Sequence, residues 1–284
     1  MVTEYLSFGN ITIKLELPQR PVDIEKYAEF ISEEKPADFN VGYSFSDGTI
    51  QLDSGFGMTA DRDGKTVVID EENGTYTVYF KAAAGGFYAK RISSFYDSGS
   101  EVILSDEARN KLWIRLILNT LGVEELAARK NAFIFHSSFI VKDGKAILFT
   151  GPCGIGKSTQ ADLWQKYKGT EIINGDKTMI YCENGKAYAS GLPFSGSSHI
   201  CLNKSFELDT IVRLEQSVQN SVEPLTLAES FVCLLKSAYI PLRFGDSISR
   251  TIGTILPGIR VCRLSCTPDE QAVTMLDGYL KGGK

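Results

Sequence analysis

The segment AILFTGPCGIGKSTQADLW, residues 146–164, joins a strand pattern to a helix pattern through a loop with three glycines. AILFT is a continuous apolar run, which is typical of a strand buried on both faces of a sheet. The helix is expected to begin near Lys157 and to turn Ala161, Leu163 and Trp164 inward. A strand, a glycine-rich loop and a helix in this order predict an α/β fold.

The loop matches the pattern G-x-x-x-x-G-K-[ST] at Gly151, Gly156, Lys157 and Ser158. Glycines let the backbone curl so that successive N–H groups point into one concavity, and the following helix adds the positive end of its dipole. Lys157 can then reach the outer phosphates of a nucleotide, and the Ser158 hydroxyl can bind Mg²⁺. We therefore expect a nucleotide with Mg²⁺ at this loop, although the pattern alone does not distinguish a kinase from an ATPase or a GTPase. The residues expected to surround the phosphates are Gly151, Cys153, Gly154, Ile155, Gly156, Lys157, Ser158 and Thr159.

An acidic residue after a second apolar run completes the expected metal site. Asp176 ends the stretch EIINGD, and Mg²⁺ often takes one carboxylate together with phosphate oxygens. Two histidines and one arginine are further candidates. His136 precedes the loop, and His199 lies in SGSSHI, which is either a substrate loop or a surface turn. Arg243, in PLRFGD, is the best candidate for an arginine that stabilises phosphate charge.

Composition excludes several classes of function. A net charge of −5 argues against a broad nucleic-acid-binding face. No apolar run approaches the ~20 residues of a membrane helix, and the first residues carry no secretion signal. We therefore expect a cytoplasmic protein that engages neither nucleic acid nor membrane. The six cysteines show no C-x-x-C spacing, so neither a zinc cluster nor a disulfide framework is expected.

The chain is expected to divide at residue 104. Residues 1–104 are predicted to be β-rich, because ITIKLEL alternates and Asn73-Gly74 is a hairpin turn signal. Residues 105–284 are predicted to form a P-loop domain with a mixed sheet. Its first helix is expected to run from an N-cap at Ser105 to Gly122.

Turn and cap signals organise the rest of the second region. Hairpin turns are predicted at Asp143-Gly144 and Asn184-Gly185. Thr226 and Glu229 have capping-box spacing, and Pro268 is expected as the first residue of the last helix.

Residues from about 105 to 284 resemble the HPr kinase/phosphorylase-related P-loop proteins, whose nucleotide core is similar to that of phosphoenolpyruvate carboxykinases. The pattern H-(x)14-G-x-x-G-I-G-K-S, then IINGD, then SGLPFSG carries the resemblance. It implies an ATP-dependent phosphotransfer fold with catalytic His136, Lys157 and Asp176. It places His136 near the transferred group, Lys157 on the phosphates, and Ser158 and Asp176 around Mg²⁺. Because related kinases often assemble, a homo-oligomer is left open.

The chain departs from this family at two positions. The family has two adjacent aspartates, the first being its general base, where this chain has Gly175-Asp176. The family's magnesium-binding glutamate has no counterpart in AYASGL. We predict a kinase that phosphorylates a hydroxyl of a peptide, a protein serine or a small metabolite, with His136 as the substitute base. Two alternatives stay open: a non-catalytic nucleotide-binding regulator, and a carboxykinase-like lyase, for which the sequence shows no clear arginine-rich pocket.

Overall fold

The computed structural model of the chain describes residues 1–52, 59–62 and 64–282. Internal contacts divide the chain into two compact units, Met1–Ser7 with Ile11–Val123 and Phe8–Asn10 with Glu124–Lys284. The boundary therefore lies at residue 123, whereas the sequence suggested residue 104. Among the described residues, no helix has the length and apolar character needed to span a membrane.

The N-terminal unit is built on one mixed sheet, as its β-rich composition predicted. The sheet order is β3-β1-β2-β4-β9-β8-β7-β6-β5, with the β2–β4 and β4–β9 pairs parallel. The hairpin at Asn73-Gly74 is confirmed between β6 and β7. The strands are β1 (Val2–Phe8), β2 (Ile11–Leu17), β3 (Ile31–Ser32), β4 (Phe39–Phe45), β5 (Thr59–Arg62), β6 (Lys65–Asp70), β7 (Thr75–Lys81), β8 (Phe87–Ser94) and β9 (Gly99–Leu104).

The helix expected from Ser105 to Gly122 is wrong in its first half. Residues 106–109 form a short 3₁₀ turn, and α1 (Ile114–Leu121) begins only after an extended Trp113. The break arises because Val22 pairs with this segment, donating to Leu112 O at 2.6 Å and accepting from Ile114 N at 3.2 Å. Tertiary pairing therefore overrides helix propensity here.

The helix α1 belongs to the N-terminal unit because that sheet holds its backbone. Tyr43 Oη in β4 donates to Ile117 O at 3.0 Å, and Arg91 Nη1 in β8 donates to Thr120 O at 3.2 Å. The bond from Arg91 satisfies the Thr120 carbonyl, which is one of the last four of the helix. The two bonds explain why the structural boundary falls after this helix.

The C-terminal unit contains a second mixed sheet, so the α/β class is confirmed. Its order is β11-β10-β13-β14-β15-β18-β16, with β12 and β17 also paired to β10. Because β11 also pairs with β15, strands β11, β10, β13, β14 and β15 close on one another. The strands are β10 (Ala132–Lys142), β11 (Lys145–Thr150), β12 (Glu171–Asn174), β13 (Lys177–Glu183), β14 (Lys186–Gly191), β15 (Ser205–Gln216), β16 (Ser221–Pro224), β17 (Ala238–Tyr239) and β18 (Arg260–Cys266).

Helices cover both faces of this sheet. The helices are α2 (Val123–Arg129), α3 (Lys157–Lys168), α4 (Leu227–Ser237), α5 (Gly245–Ile255) and α6 (Glu270–Lys281). Ile147 and Phe149 of β11 pack in one core cluster with Trp164 of α3, while Leu148 packs in another with Ile252 of α5. Burial on both faces explains the continuous apolar run of β11.

The turn and cap predictions of this unit hold with one exception. Hairpins turn at Asp143-Gly144 and Asn184-Gly185, and Thr226 with Glu229 forms the capping box of α4. Pro268 is not the first residue of α6. Asp269 is the N-cap, because its carboxylate accepts a bond from Ala272 N at 3.0 Å.

Candidate functional site

The glycine-rich loop, residues 151–156, links the end of β11 to the start of α3. Gly156 is the N-cap of α3 with a φ of 110°, a conformation that residues with a side chain avoid. A Cβ at Gly151 would lie 3.2 Å from Ile155 Cγ2 and 3.4 Å from Leu214 O. Gly156 has no side chain with which to cap the first N–H groups of α3, and unpaired N–H groups at a helix start are suited to binding an anion.

Lys157 is the first residue of α3, and its side chain lies back against the loop. It is 8% exposed, and its ammonium donates to the carbonyls of Gly151 and Pro152, both at 3.1 Å. Burial lowers the pKa of Lys157, and the negative charge of Asp176 is among the effects that oppose the shift. Within the described part of the chain, Lys157 makes no ion pair. A buried cation held by neutral carbonyls is incompletely compensated, and an anion at the loop would compensate it.

Asp176 lies in a turn between β12 and β13. Asn174 Oδ1 accepts from the backbone N–H groups of Asp176 at 2.9 Å and of Lys177 at 3.0 Å. This is an Asx-type turn, in which a short polar side chain replaces a backbone acceptor. The carboxylate of Asp176 is 31% exposed, so the turn presents it at the surface of the unit.

His136 stands beside Asp176. Its Nδ1 lies 3.1 Å from Asp176 O and 3.5 Å from Asp176 Oδ1. Burial lowers the pKa of His136, and the positive charge of Lys157 lowers it further. A carbonyl oxygen only accepts, so the 3.1 Å bond requires a proton on Nδ1. In the neutral ring, Nε2 is then the basic nitrogen.

Strand β10 brings the loop, His136 and Asp176 together. Ser137 pairs with Thr150, the residue before the loop, and His136 pairs with Lys177, the residue after Asp176. Thr150 Oγ1 also donates to His136 O at 2.9 Å. His136 therefore lies one strand from the loop on one side and one strand from the Asp176 turn on the other.

A serine–glycine loop, residues 195–199, packs against the Asp176 turn. A Cβ at Gly196 would lie 2.7 Å from Asp176 Cβ, and a Cβ at Gly175 would collide with Ser198 Oγ. The Ser198 hydroxyl donates to Ser195 O at 2.7 Å and accepts from Ile200 N at 3.3 Å. The space of the aspartate that the resemblance expects at position 175 is therefore filled by Ser198.

The other candidate residues are exposed side chains on these elements or, for Arg243, on a separate turn. Ser158 and Thr159 are exposed in the first turn of α3, and Cys153 is exposed in the glycine-rich loop. His199 is exposed at the end of the serine–glycine loop with a φ of 57°. Arg243 is exposed in the turn before α5 with a φ of 74°.

Three residues of the site were not singled out from the sequence. Asn174 is fully buried and shapes the Asp176 turn, and its signal was the N-G-D triplet, since asparagine favours turns. Ser198 lies next to Gly175 because the folded chain brings the two residues together, and no local sequence pattern predicts this contact. Tyr239 of β17 packs edge-on against His136, with ring centroids 6.4 Å apart, and no local pattern marks it.

Asp176 and Ser158 carry oxygen ligands of the kind that a magnesium site completed by phosphate uses. In the described part of the chain, no group of three or more His, Cys, Asp or Glu side chains could hold a metal alone. Mg²⁺ commonly takes one or two protein oxygens and fills its shell with phosphate and water. Asp176 and Ser158 offer a carboxylate and a hydroxyl of that kind, and both are accessible.

Comparison with known proteins gives a distant structural likeness. The solved structure of the HPr(Ser) kinase/phosphatase from Coxiella burnetii is similar to this chain, with 14% identity and a TM-score of 0.30. The match covers 51% of this chain and 95% of that chain. A TM-score of this size does not establish a shared fold. No curated protein matches the chain.

The family of this chain is shown by its match to a protein-family model. The model described as SynChlorMet cassette protein ScmC matches residues 101–244, about half of the chain. The matched residues include the glycine-rich loop, His136, the Asp176 turn and the serine–glycine loop. The chain therefore belongs to the ScmC family.

Proposed function

We propose that this protein is an ATP- and Mg²⁺-dependent phosphotransferase acting on a hydroxyl group. The acceptor class is a peptide, a protein serine or a small metabolite. The observation that carries the proposal is that a buried Lys157, which forms no ion pair with any described residue, begins helix α3 beside the strand that carries His136 and the turn that carries Asp176. Phosphoryl transfer uses a cation on the phosphates, a carboxylate for Mg²⁺ and a group that accepts the proton of the acceptor hydroxyl.

Each side chain has a distinct part in this reaction. Lys157 and the N–H groups at the start of α3 bind the phosphates. Asp176 and Ser158 would hold Mg²⁺, which supplies charge neutralisation when bound. During transfer the bond from the acceptor oxygen to the terminal phosphorus forms and the bond to the bridging oxygen breaks, releasing ADP. His136 Nε2 takes the proton of the acceptor hydroxyl.

The proposal is tested by measuring ADP formation and transfer of labelled phosphate to serine peptides and hydroxyl metabolites. Lys157→Ala is expected to abolish both, because the buried cation at the loop is lost. Lys166→Ala is the matched control, since Lys166 lies in the last turn of the same helix and packs on Tyr167 at 4.8 Å. A fully active Lys157→Ala variant would contradict the assignment.

A non-catalytic nucleotide-binding regulator is the second candidate. It is favoured by Gly175, because Ser198 fills the space in which a catalytic aspartate would stand. The two candidates differ in turnover. A regulator binds ATP·Mg²⁺ without forming ADP with any acceptor, whereas the kinase forms ADP in step with phosphorylated acceptor.

A further inference from the structure

Asn174 is a buried side chain whose amide is fully bonded. It is 0% exposed. Its Oδ1 accepts from Asp176 N and Lys177 N, and its Nδ2 donates to Leu192 O and Phe194 O, both at 2.9 Å. An asparagine side chain has two donors and two acceptor lone pairs, so every bonding capacity is used. Fully satisfied buried amides fix the geometry of the groups they join.

The two ends of this amide hold two different parts of the site. The Oδ1 end shapes the turn that presents Asp176. The Nδ2 end holds residues 192–194, the segment that leads directly into the serine–glycine loop. That loop in turn packs Gly196 against Asp176 and Ser198 against Gly175. One side chain therefore fixes the turn that carries the carboxylate and the segment that leads into the loop packed against that turn.

We propose that Asn174 is the positioning residue of the site: it orients the Asp176 carboxylate for the metal and locks the serine–glycine loop beside it. This inference rests on the proposed function, because it assigns Asp176 to Mg²⁺. Asn174 contacts neither nucleotide nor metal in this role and acts through Asp176. Groups that orient a metal ligand typically change metal affinity about 10–100-fold when they are removed.

Asparagine suits this position better than its nearest relatives. Aspartate would keep both acceptor contacts but would face the carbonyls of Leu192 and Phe194 without a donor. Alanine would remove all four bonds and leave two backbone N–H groups and two carbonyls unsatisfied. Comparison of the two substitutions therefore separates the effect of the bonds to the Asp176 turn from the effect of the bonds to residues 192–194.

The test measures the binding of a fluorescent ATP analogue to the full chain, first without metal and then during a Mg²⁺ titration. In Asn174→Ala, we expect the half-saturating Mg²⁺ concentration to rise ~10–100-fold. The metal-free nucleotide affinity should stay unchanged, since the glycine-rich loop is intact. Asn174→Asp should shift the Mg²⁺ dependence less, because the bonds to Asp176 and Lys177 remain.

Two reference variants make the result decisive. Asp176→Asn removes the metal carboxylate itself and should lose the Mg²⁺ dependence. Thr178→Val removes a buried hydroxyl that accepts from Ser137 Oγ at 2.9 Å in the same sheet, and it should leave the Mg²⁺ dependence unchanged. Thermal unfolding of each variant identifies loss of folding, and Asn174→Asp serves as the shape-conserving variant if Asn174→Ala does not fold.

The outcomes separate the two proposals. If wild type and Asn174→Ala share one Mg²⁺ dependence while Asp176→Asn loses it, the positioning role is overturned and the proposed function stands. If Thr178→Val and Asn174→Ala raise the half-saturating Mg²⁺ concentration equally, Asn174 acts only through general packing and the positioning role is overturned. A wild-type protein that binds no nucleotide overturns the proposed function itself, and this inference with it.

Discussion

Gly175→Ala is the sharpest test of how the site is packed. Gly175 has no positive φ, so alanine adds no backbone strain and changes only the space at this position. The new methyl group would lie 2.5 Å from Ser198 Cβ and closer still to Ser198 Oγ. Rotating the Ser198 side chain moves Oγ but leaves its Cβ in place. The clash can therefore be relieved only by a shift of backbone in the serine–glycine loop or the Asp176 turn.

The cost of such overpacking is about 1–3 kcal/mol in the free energy of unfolding. Ser198→Gly alone should cost about 1 kcal/mol, because it removes the bonds to Ser195 O and Ile200 N. In the double variant the methyl group enters the vacated space, so most of the Gly175→Ala penalty should disappear. The coupling energy between the two sites is then about 1–3 kcal/mol, well above the ~0.5 kcal/mol of independent positions.

Urea denaturation measures these energies. Trp164 is buried in the same unit, and a Trp113→Phe background makes it the sole tryptophan. Gly253→Ala in α5 is the control, because a Cβ there meets no atom within 4 Å, and helix propensity predicts stabilisation by up to ~1 kcal/mol. If the effects of Gly175→Ala and Ser198→Gly on the free energy of unfolding are additive, Ser198 does not pack against the Asp176 turn.

Three further predictions concern the C-terminal unit. Transfer activity is expected to fall on acidification with a midpoint below pH 6.5. The base must be neutral, and both burial and the charge of Lys157 lower the pKa of His136. A pH profile of kcat/KM measures this, and the same acidic fall in His136→Gln would show that His136 is not the base. Burial opposes ionisation of Asp277, but hydrogen bonds from Lys281, Lys168 and Lys142 outweigh it and lower its pKa from 3.8 to about 2. The resulting stabilisation is present above pH 3.8 and lost as pH falls to about 2, so the difference in unfolding free energy between wild type and Asp277→Asn should vanish over that range. Thr226→Ala breaks the capping box of α4 and should lower the free energy of unfolding by about 1 kcal/mol in thermal or urea unfolding, whereas an unchanged value would show that the cap contributes nothing.

Local sequence signals predicted most of the C-terminal unit. The glycine-rich loop, the start of α3 at Lys157 and the turns at Asp143-Gly144 and Asn184-Gly185 each depend on a few adjacent residues. Glycine and asparagine at fixed turn positions act through backbone geometry, which does not need the rest of the fold. Such features are therefore visible in the sequence.

The broken helix after Ser105 and two missed contacts of the site arose where a distant segment decided the outcome. The helix expected from Ser105 was broken because Val22 pairs with the backbone beside Trp113. The contact of Ser198 with Gly175 and that of Tyr239 with His136 join residues far apart in sequence. No periodicity or motif encodes these contacts. The two contacts of the site follow from the order of the strands around β10, which no local pattern predicted.

The central claim is that the glycine-rich loop and Asp176 together bind a nucleotide and its metal. Isothermal titration calorimetry of the full chain with ATP, in Mg²⁺ and in EDTA, measures this directly. We expect one nucleotide site per chain, with tighter binding in Mg²⁺ than in EDTA and with binding lost in Lys157→Ala but not in Lys166→Ala. Absence of binding by the folded wild-type chain in both buffers would contradict it.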